Sequence, residues 1–476
     1  MIGKHVTHPQ FGAGQVTAVY RNGAEWLVRF ENGLRFRRPS REFMADGLPV
    51  GDGLPVGDGQ VIAEPSPTFA LTYHSPDPMP QSQLEARQLV ESLRVGIAPA
   101  QHVGELTINL RPERESLVRA LNQAHQQGGA VRAVVGEYGY GKSHMVELAT
   151  QEALSRNFLV TTISLDLQEL PPHRAFDIYR EAMRHLRYPD TDERGLGPLL
   201  GKTAVLPHTL SQLQALTPVE NDPLSFTLQA IAATASSRQR QAWLNWLMGG
   251  RRVSQMNKAM PRGVKFPSIY TVGANARQIA YLLTGVSALA RLGNYSGLCI
   301  LVDEAESYSL LKPYQRPKAS LFFQAIIYAA LRQNQAKLHE EQFPQHRWRD
   351  YPLAYDQGQS LFFLFTVTRS DNRLPLQEWL TADDIFYLEP DADPQEVGQF
   401  LQRILAYHAQ AYGYEPGERQ GQVRRGAAEH LAMGVRNGRF SMRTVVRLSV
   451  ELFDLLYLYP DYDVATLLDE LRAQVR

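Results

Sequence analysis

The most specific chemistry in the sequence belongs to Gly136, Glu137, Tyr138, Gly139, Tyr140, Gly141, Lys142 and Ser143. Two apolar residues, Val134 and Val135, lead into this turn, and a helical pattern follows it. The spacing G-x-x-x-x-G-K-S between a strand and a helix predicts a phosphate-binding loop. Glycines let the backbone wrap a polyphosphate with several N–H groups turned inward, and the next helix offers its positive end to the same anion. In this arrangement Lys142 reaches the β and γ phosphates, Ser143 gives its hydroxyl to Mg2+, and His144 completes the set of residues lining the site. ATP and Mg2+ are the expected cofactors.

Holding a phosphate does not cleave it, so a second, acidic site is required. Cys299 to Val302 reads as an apolar strand beside the strand of the glycine loop, and it ends in Asp303 and Glu304. Asp303 is placed to hold Mg2+ through a water. Glu304 is the candidate general base for the attacking water. An acid-rich helix start would carry the same residues for electrostatic reasons alone; the pairing with a glycine loop favours chemistry. A further apolar strand, Leu361 to Thr368, ends in a hydroxyl suited to touch the γ phosphate or the water. Thr368 is the candidate, with Thr366 as the alternative. Beyond it, Arg369 and Arg373 are candidate arginine fingers toward a neighbouring subunit, although a solvated surface position is the plainer expectation for each. Arg439 and Arg443 lie four apart in a late helical stretch and share a face. Arg443 is the candidate that contacts nucleotide and reports its state.

These side chains need a scaffold, and the pattern supplies one. Residues 1–44 alternate apolar and polar types and are cut by Asn22-Gly23 and Asn32-Gly33, which predicts a small all-β barrel. Residues 45–80, with the repeat DGLPVGDGLPVGDG, read as a Gly/Pro-rich linker. From Gln81 a helix is expected, with Leu84, Leu89, Val90 and Leu93 on one face. Strands at 131–135, 158–165, 298–302 and 361–368 alternate with helices at 142–156 and 175–186. This predicts an α/β P-loop core over 81–390, with a mainly helical insertion at about 190–290. A helical lid over 391–476 opens at Pro394 behind a capping Asp393.

Composition narrows the partners. Lys and Arg number 49 and Asp and Glu 49, so no global field drives the chain onto nucleic acid or membrane. A single cysteine, Cys299, rules out an internal disulfide and a thiolate metal cage. The N-terminus lacks the apolar core of a signal peptide and the longest apolar run, LFFQAIIYAAL, is short for a bilayer, so a cytoplasmic protein without membrane contact is expected. One segment departs from the charge balance. Between Asp222 and Asp303 there is no acid, while Arg238, Arg240, Arg251, Arg252, Lys258, Arg262, Lys265, Arg277 and Arg291 all occur. The first seven are candidate DNA contacts. Trp243 and Trp246 lie among them, and for these a place in the core of an insertion helix is the plainer expectation.

Four stretches carry a family resemblance: VESLRVGIAP at 90–99, GEYGYGKSH, LLTGVSALARLGNYSGLCILVDEAE and SMRTVV. They resemble the BREX-associated ATP-binding proteins of bacterial phage defence, the BrxD-like group related to BrxC, from residue 81 onward. The resemblance implies an AAA+-type, origin-recognition-like ATPase core, with roles for Lys142, Ser143, Asp303, Glu304 and Thr368 that agree with the residue chemistry. It also implies a helicase or nuclease partner. The stretch after Arg443 is expected to be too short for a winged-helix domain. The N-terminal HPQFGAGQV and VRFENGLRF resemble the Tudor-like, SH3-type barrel of UvrD/PcrA helicases and CarD-type transcription factors, which implies docking onto a protein partner. Two functions follow as expectations. One is an ATPase that assembles as a homo-oligomer on double-stranded DNA. The other is a nucleotide-gated scaffold whose barrel recruits a partner.

Overall fold

Two sheets of opposite character organise the chain, one antiparallel and one parallel. The computed structural model describes residues 3–8, 12–20, 25–30, 35–39, 43–45, 48–49, 79–97, 102–108, 110–220, 222–250, 267, 269, 275–331, 337–345, 351–355, 357–389 and 391–475. It divides into two units, Met1–Pro76 and Asp77–Arg476.

In the first unit β1 (His5–His8), β2 (Gly12–Tyr20), β3 (Glu25–Phe30), β4 (Arg35–Pro39), β5 (Met44–Ala45) and β6 (Leu48–Pro49) pair in the order β4-β3-β2-β1-β5-β6. Alternation turns Val6, Val16, Trp26, Val28 and Phe30 inward around Phe43, and Trp26 stacks on Phe43 at 5.9 Å. The pairs Asn22-Gly23 and Asn32-Gly33 lie outside the described residues. The linker expected from residue 45 begins later, because Ala45 pairs with Leu48 and Met44 with Pro49. Turn-forming Gly and Asp between two short apolar segments allow a hairpin as readily as a linker. Residues 50–78 lie outside the described residues.

In the second unit β7 (Gly129–Gly136), β8 (Phe158–Ser164), β9 (Gly297–Asp303), β10 (Leu361–Thr368) and β11 (Ile385–Leu388) form a parallel sheet in the order β11-β7-β10-β9-β8. A parallel sheet is covered on both faces, so its strands are apolar throughout. Ala130, Val134, Cys299, Leu301, Phe362 and Leu364 face the helices Arg111–Gln127 and Lys142–Ser155. Val131, Ala133, Val135, Ile300, Val302, Phe363 and Phe365 face the helices Ala175–Arg184, Asn275–Leu292 and Arg316–Leu331.

The strand order corrects one expectation. The strand that ends in Asp303 does not lie beside the glycine-loop strand; β10 runs between them, paired with β7 from Leu361↔Gly129 to Thr368↔Gly136 and with β9 from Leu361↔Leu298 to Phe365↔Val302. Its sequence LFFLFTVT is buried at every position, which suits a strand with neighbours on both sides. β11, with four residues, is too short for periodicity to announce it.

Within the expected insertion, helices Gly197–Ala204, Thr209–Ala215, Pro223–Ala232 and Ser237–Leu247 extend the second-face core. Trp243 and Trp246 are buried there against Phe226, at 5.6 and 6.4 Å. The helix Asn275–Leu292 belongs to the sheet rather than to the insertion, since every residue from Arg277 to Ala290 is buried. Arg277 is therefore no surface cation. Its guanidinium donates to Glu340 Oε1 at 2.6 Å and to the carbonyls of Tyr351, Glu340 and Phe343 at 2.9, 3.0 and 3.3 Å.

The helices Pro394–Tyr412, Glu418–Arg436, Met442–Leu458 and Val464–Val475 form a separate core, and helix Gln81–Arg94 packs into it rather than onto the sheet. Its buried face is Ala86, Leu89, Val90 and Leu93; Leu84, expected on that face, is 41% exposed. Asp393 caps Pro394–Tyr412 by accepting the Gln395 N–H at 3.0 Å, as expected. Asp454 holds the two parts together by accepting from Arg94 Nη2 at 2.8 Å and from His408 Nε2 at 3.0 Å. Among the described residues no helix is long and apolar enough to cross a membrane.

The start of β7 tolerates no side chain, because a Cβ on Gly129 would sit 1.9 Å from the Ala330 carbonyl oxygen. Gly129→Ala is expected to cost roughly 1–3 kcal/mol through overpacking. Gly201→Ala, in a helix with open space around it, is expected to gain about 0.5–1 kcal/mol. Urea denaturation of both variants checks the pair, and equal midpoints would contradict the close approach.

Candidate nucleotide site

The glycine loop connects the C-terminal end of β7 to the helix Lys142–Ser155. Gly139 and Gly141 have φ of +83° and +93°, a conformation that side chains disfavour. A Cβ on Gly141 would meet nothing within 4 Å, so this backbone borders open space. Lys142 is nearly buried, and its ammonium donates to the carbonyls of Gly136 at 3.1 Å and Glu137 at 3.2 Å. Both acceptors are neutral, so the charge itself has no carboxylate partner in these bonds. His144 Nε2 meets Thr107 Oγ1 at 2.8 Å, and burial lowers its imidazole to about 4. The ring is therefore neutral at ordinary pH and fastens the helix to the segment before Arg111–Gln127.

Opposite the loop stand three acids, each accepting from a hydroxyl. Asp303, at the end of β9, accepts from Thr366 Oγ1. Glu306 accepts from Thr368 Oγ1. Glu304 Oε2 accepts from Ser164 Oγ, at the end of β8, at 3.3 Å. Glu304 has φ +60°, a left-handed conformation that turns the chain directly after Asp303. Its carboxyl lies above the ordinary range, chiefly because it is desolvated and secondly because Asp303 is adjacent. Such a group is a stronger base than a free glutamate.

The helical layer closes the site. The Arg443 backbone N–H donates to the Gly139 carbonyl at 3.2 Å, and Arg443 Nη1 donates to the Tyr138 hydroxyl at 2.6 Å, with the guanidinium 5.5 Å from that ring's centre. A Cβ on Gly96 would lie 2.4 Å from Arg443 Cγ, so the segment after helix Gln81–Arg94 closes on the same side chain.

One cavity of about 690 Å³ joins these parts. Tyr138, Gly139, Tyr140, Gly141, Lys142, Ser143, His144, Asp303, Glu304 and Arg443 all line it, whereas Gly136 and Glu137, expected at the same site, do not. Thr368 reaches it only through Glu306, and Thr366 only through Asp303. Arg369 is paired with Glu389 at 2.6 Å, whereas Arg373 is exposed beyond the sheet edge. Of the candidate DNA contacts, Arg238 and Arg240 are exposed on helix Ser237–Leu247; Arg251, Arg252, Lys258, Arg262 and Lys265 lie outside the described residues. Sequence reasoning missed the apolar wall, formed by Ile97, Leu106, Ile108, Leu388, Met442 and Val446. Its members come from four separate segments, and no spacing links them; only the stretches VGIAP and SMRTVV, quoted for their resemblance, include members of it.

Thr107→Val removes both the contact with the part-buried His144 and the hydrogen bond that Thr107 Oγ1 donates to the Val103 carbonyl at 2.6 Å, and is expected to cost roughly 1–3 kcal/mol in denaturant unfolding. Thr107→Ser should recover most of that loss. Equal losses for the two variants would show that the methyl group, and not the hydrogen bond, matters.

Comparison with known proteins bears on this site. No curated protein matches the chain. Among solved structures, the E. coli MS115-1 HORMA:CdnC:Trip13 complex contains a chain that aligns with a TM-score of 0.37 at 10% identity, covering 79% of this chain and 90% of that chain. Residues 82–203 match the family model of the BREX system ATP-binding protein BrxC/D. Over that span, which holds the glycine loop and the helix behind it and ends before the strand of Asp303, the chain is similar to the ATP-binding proteins of the BREX system.

Proposed function

We propose that the chain is an AAA+-type ATPase of bacterial phage defence, which binds and hydrolyses ATP with Mg2+ and works as a homo-oligomer on DNA beside a helicase or nuclease. The observation that carries this reading is the single cavity shared by the glycine loop, the acids at the end of β9 and Arg443 of the helical layer. The similarity over residues 82–203 supports ATP as the nucleotide. The position of β10, between the loop strand and the acid strand, supports the additional-strand class of ATPases.

The donor set fits a magnesium nucleotide. Loop N–H groups and the Lys142 ammonium suit phosphate oxygens, and the apolar wall suits a purine. Ser143 and Asp303 would hold Mg2+, a cation that keeps most of its waters and needs few protein ligands. Mg2+-ATP, when bound, supplies the phosphoanhydride bond and the charge neutralisation for its cleavage. Lys142 leaves two neutral carbonyls to reach phosphate, so its move breaks no ion pair. Glu304 orients the attacking water and accepts its proton. Thr366 and Thr368 hold Asp303 and Glu306 in place from the neighbouring strand. Arg443 links the helical layer to the loop. For the finger in trans Arg373 is the better choice, since Arg369 is engaged by Glu389. The N-terminal sheet, a unit of its own, is proposed as a Tudor-like module for a protein partner.

Glu304→Gln keeps the shape of the site and removes the base. Nucleotide binding is expected to persist while turnover falls by about 10²–10⁴. A steady-state phosphate-release assay measures this, and wild-type turnover in the variant would overturn the assignment.

A further inference from the structure

Two segments leave the parallel sheet side by side: the loop 165–174 after Ser164 of β8, and residues 305–318 after Glu304, where a 3-10 turn, Ala305–Leu310, and a short loop lead into the first turn of helix Arg316–Leu331. They are fastened to each other. Ser307 Oγ donates to the Leu165 carbonyl at 3.1 Å, and Gln315 Nε2 meets His173 Nε2 at 3.1 Å. The outer side of this pair is unusual for a surface loop. Leu310 and Tyr314 are 72% and 69% exposed, and Leu167 is 39% exposed.

Cations flank these apolar groups along the chain. Lys312 and Lys318 are exposed, and no acid occurs from Ser307 to His339. Neither lysine forms an ion pair among the described residues. Arg174, also exposed, lies across the join, with Asp177 at 4.0 Å. His173 sits below its usual range, first through burial and then through Arg174 and Lys318. Of the acids in the first loop, Asp166 is folded back onto the N–H groups of Gln168 and Glu169, at 2.7 and 2.9 Å; Glu169 is exposed.

Cations alone would suit the outside of a duplex. An exposed tyrosine among them suits a base face, which only an unpaired strand presents. We propose that these two segments form a binding surface for single-stranded nucleic acid, with Lys312, Lys318 and Arg174 on phosphates and Tyr314 stacked on a base. The segments begin at Ser164 and Glu304, which are hydrogen-bonded to each other, so a strand lying across them bears on the Glu304 carboxylate. That coupling rests on the hydrolytic role proposed for Glu304; strand binding itself does not.

The test is fluorescence anisotropy of the full chain with fluorescein-labelled oligothymidylate, without nucleotide, over a series of salt concentrations, together with calorimetry of ATP binding. Tyr314→Ala should weaken strand binding roughly tenfold. Lys312→Ala with Lys318→Ala should reduce the log–log salt slope by roughly 0.7 for each cation removed. ATP affinity should be unchanged in all of these surface variants, which also verifies their folding. If the wild type binds ATP but no oligonucleotide, the surface assignment is wrong and the ATP reading stands; the reverse result removes the ATP reading alone. Preference for duplex with no effect of Tyr314→Ala, or equal competition by polyglutamate, would overturn single-strand recognition.

Discussion

The structure depends on a sheet that water cannot reach from either side. Five parallel strands buried on both faces have no room for polar chemistry along their length, and only their ends are free to carry it. Parallel pairing sends all the C-terminal ends to one edge. Because Thr368 is in register with Gly136, and Phe365 with Val302, the end of β10 stands between the glycine loop and Asp303. The site is the meeting of these ends, the place where open α/β sheets generally hold ligands.

Charge at that edge is managed by hydroxyls. Asp303, Glu304 and Glu306 crowd together, yet each accepts from a different neighbour: Thr366, Ser164 and Thr368. The hydroxyls come from the strands on either side of β9, so the sheet itself keeps the acids apart and aimed. Lys142 faces them from the loop, held by carbonyls that do not neutralise it. A cation with no ion pair among the described residues, set against crowded anions, suits a ligand that carries both phosphate and a divalent cation. The helical layer adds Arg443, and by packing helix Gln81–Arg94 into its own core it brings Gly96 and Ile97 to the same cavity.

The parts of this arrangement that were legible in the sequence are those with local causes. A glycine loop between a strand and a helix, an apolar run ending in Asp-Glu, and Asp393-Pro394 at a helix start each declare themselves within about ten residues. What was hidden depends on distant partners. The place of β10 beside β7 follows from its burial on both faces and not from any motif. The apolar wall gathers residues far apart in the chain, and Leu84 fits the helical period but turns outward because nothing packs against that side. Arg277 looked like one of a run of surface cations, yet Glu340 and three carbonyls draw it inside. Charge counts along a sequence do not reveal partners brought close by the fold.

The central claim is that the cavity between the glycine loop and the helical layer binds ATP. Isothermal titration of Mg2+-ATP into the full chain, compared with the Lys142→Ala variant, tests it most directly. The account predicts saturable binding with one ATP per chain in the wild type and its loss in the variant, whose fold by circular dichroism should be unchanged. Equal binding by the two proteins, or none by the wild type, would contradict it.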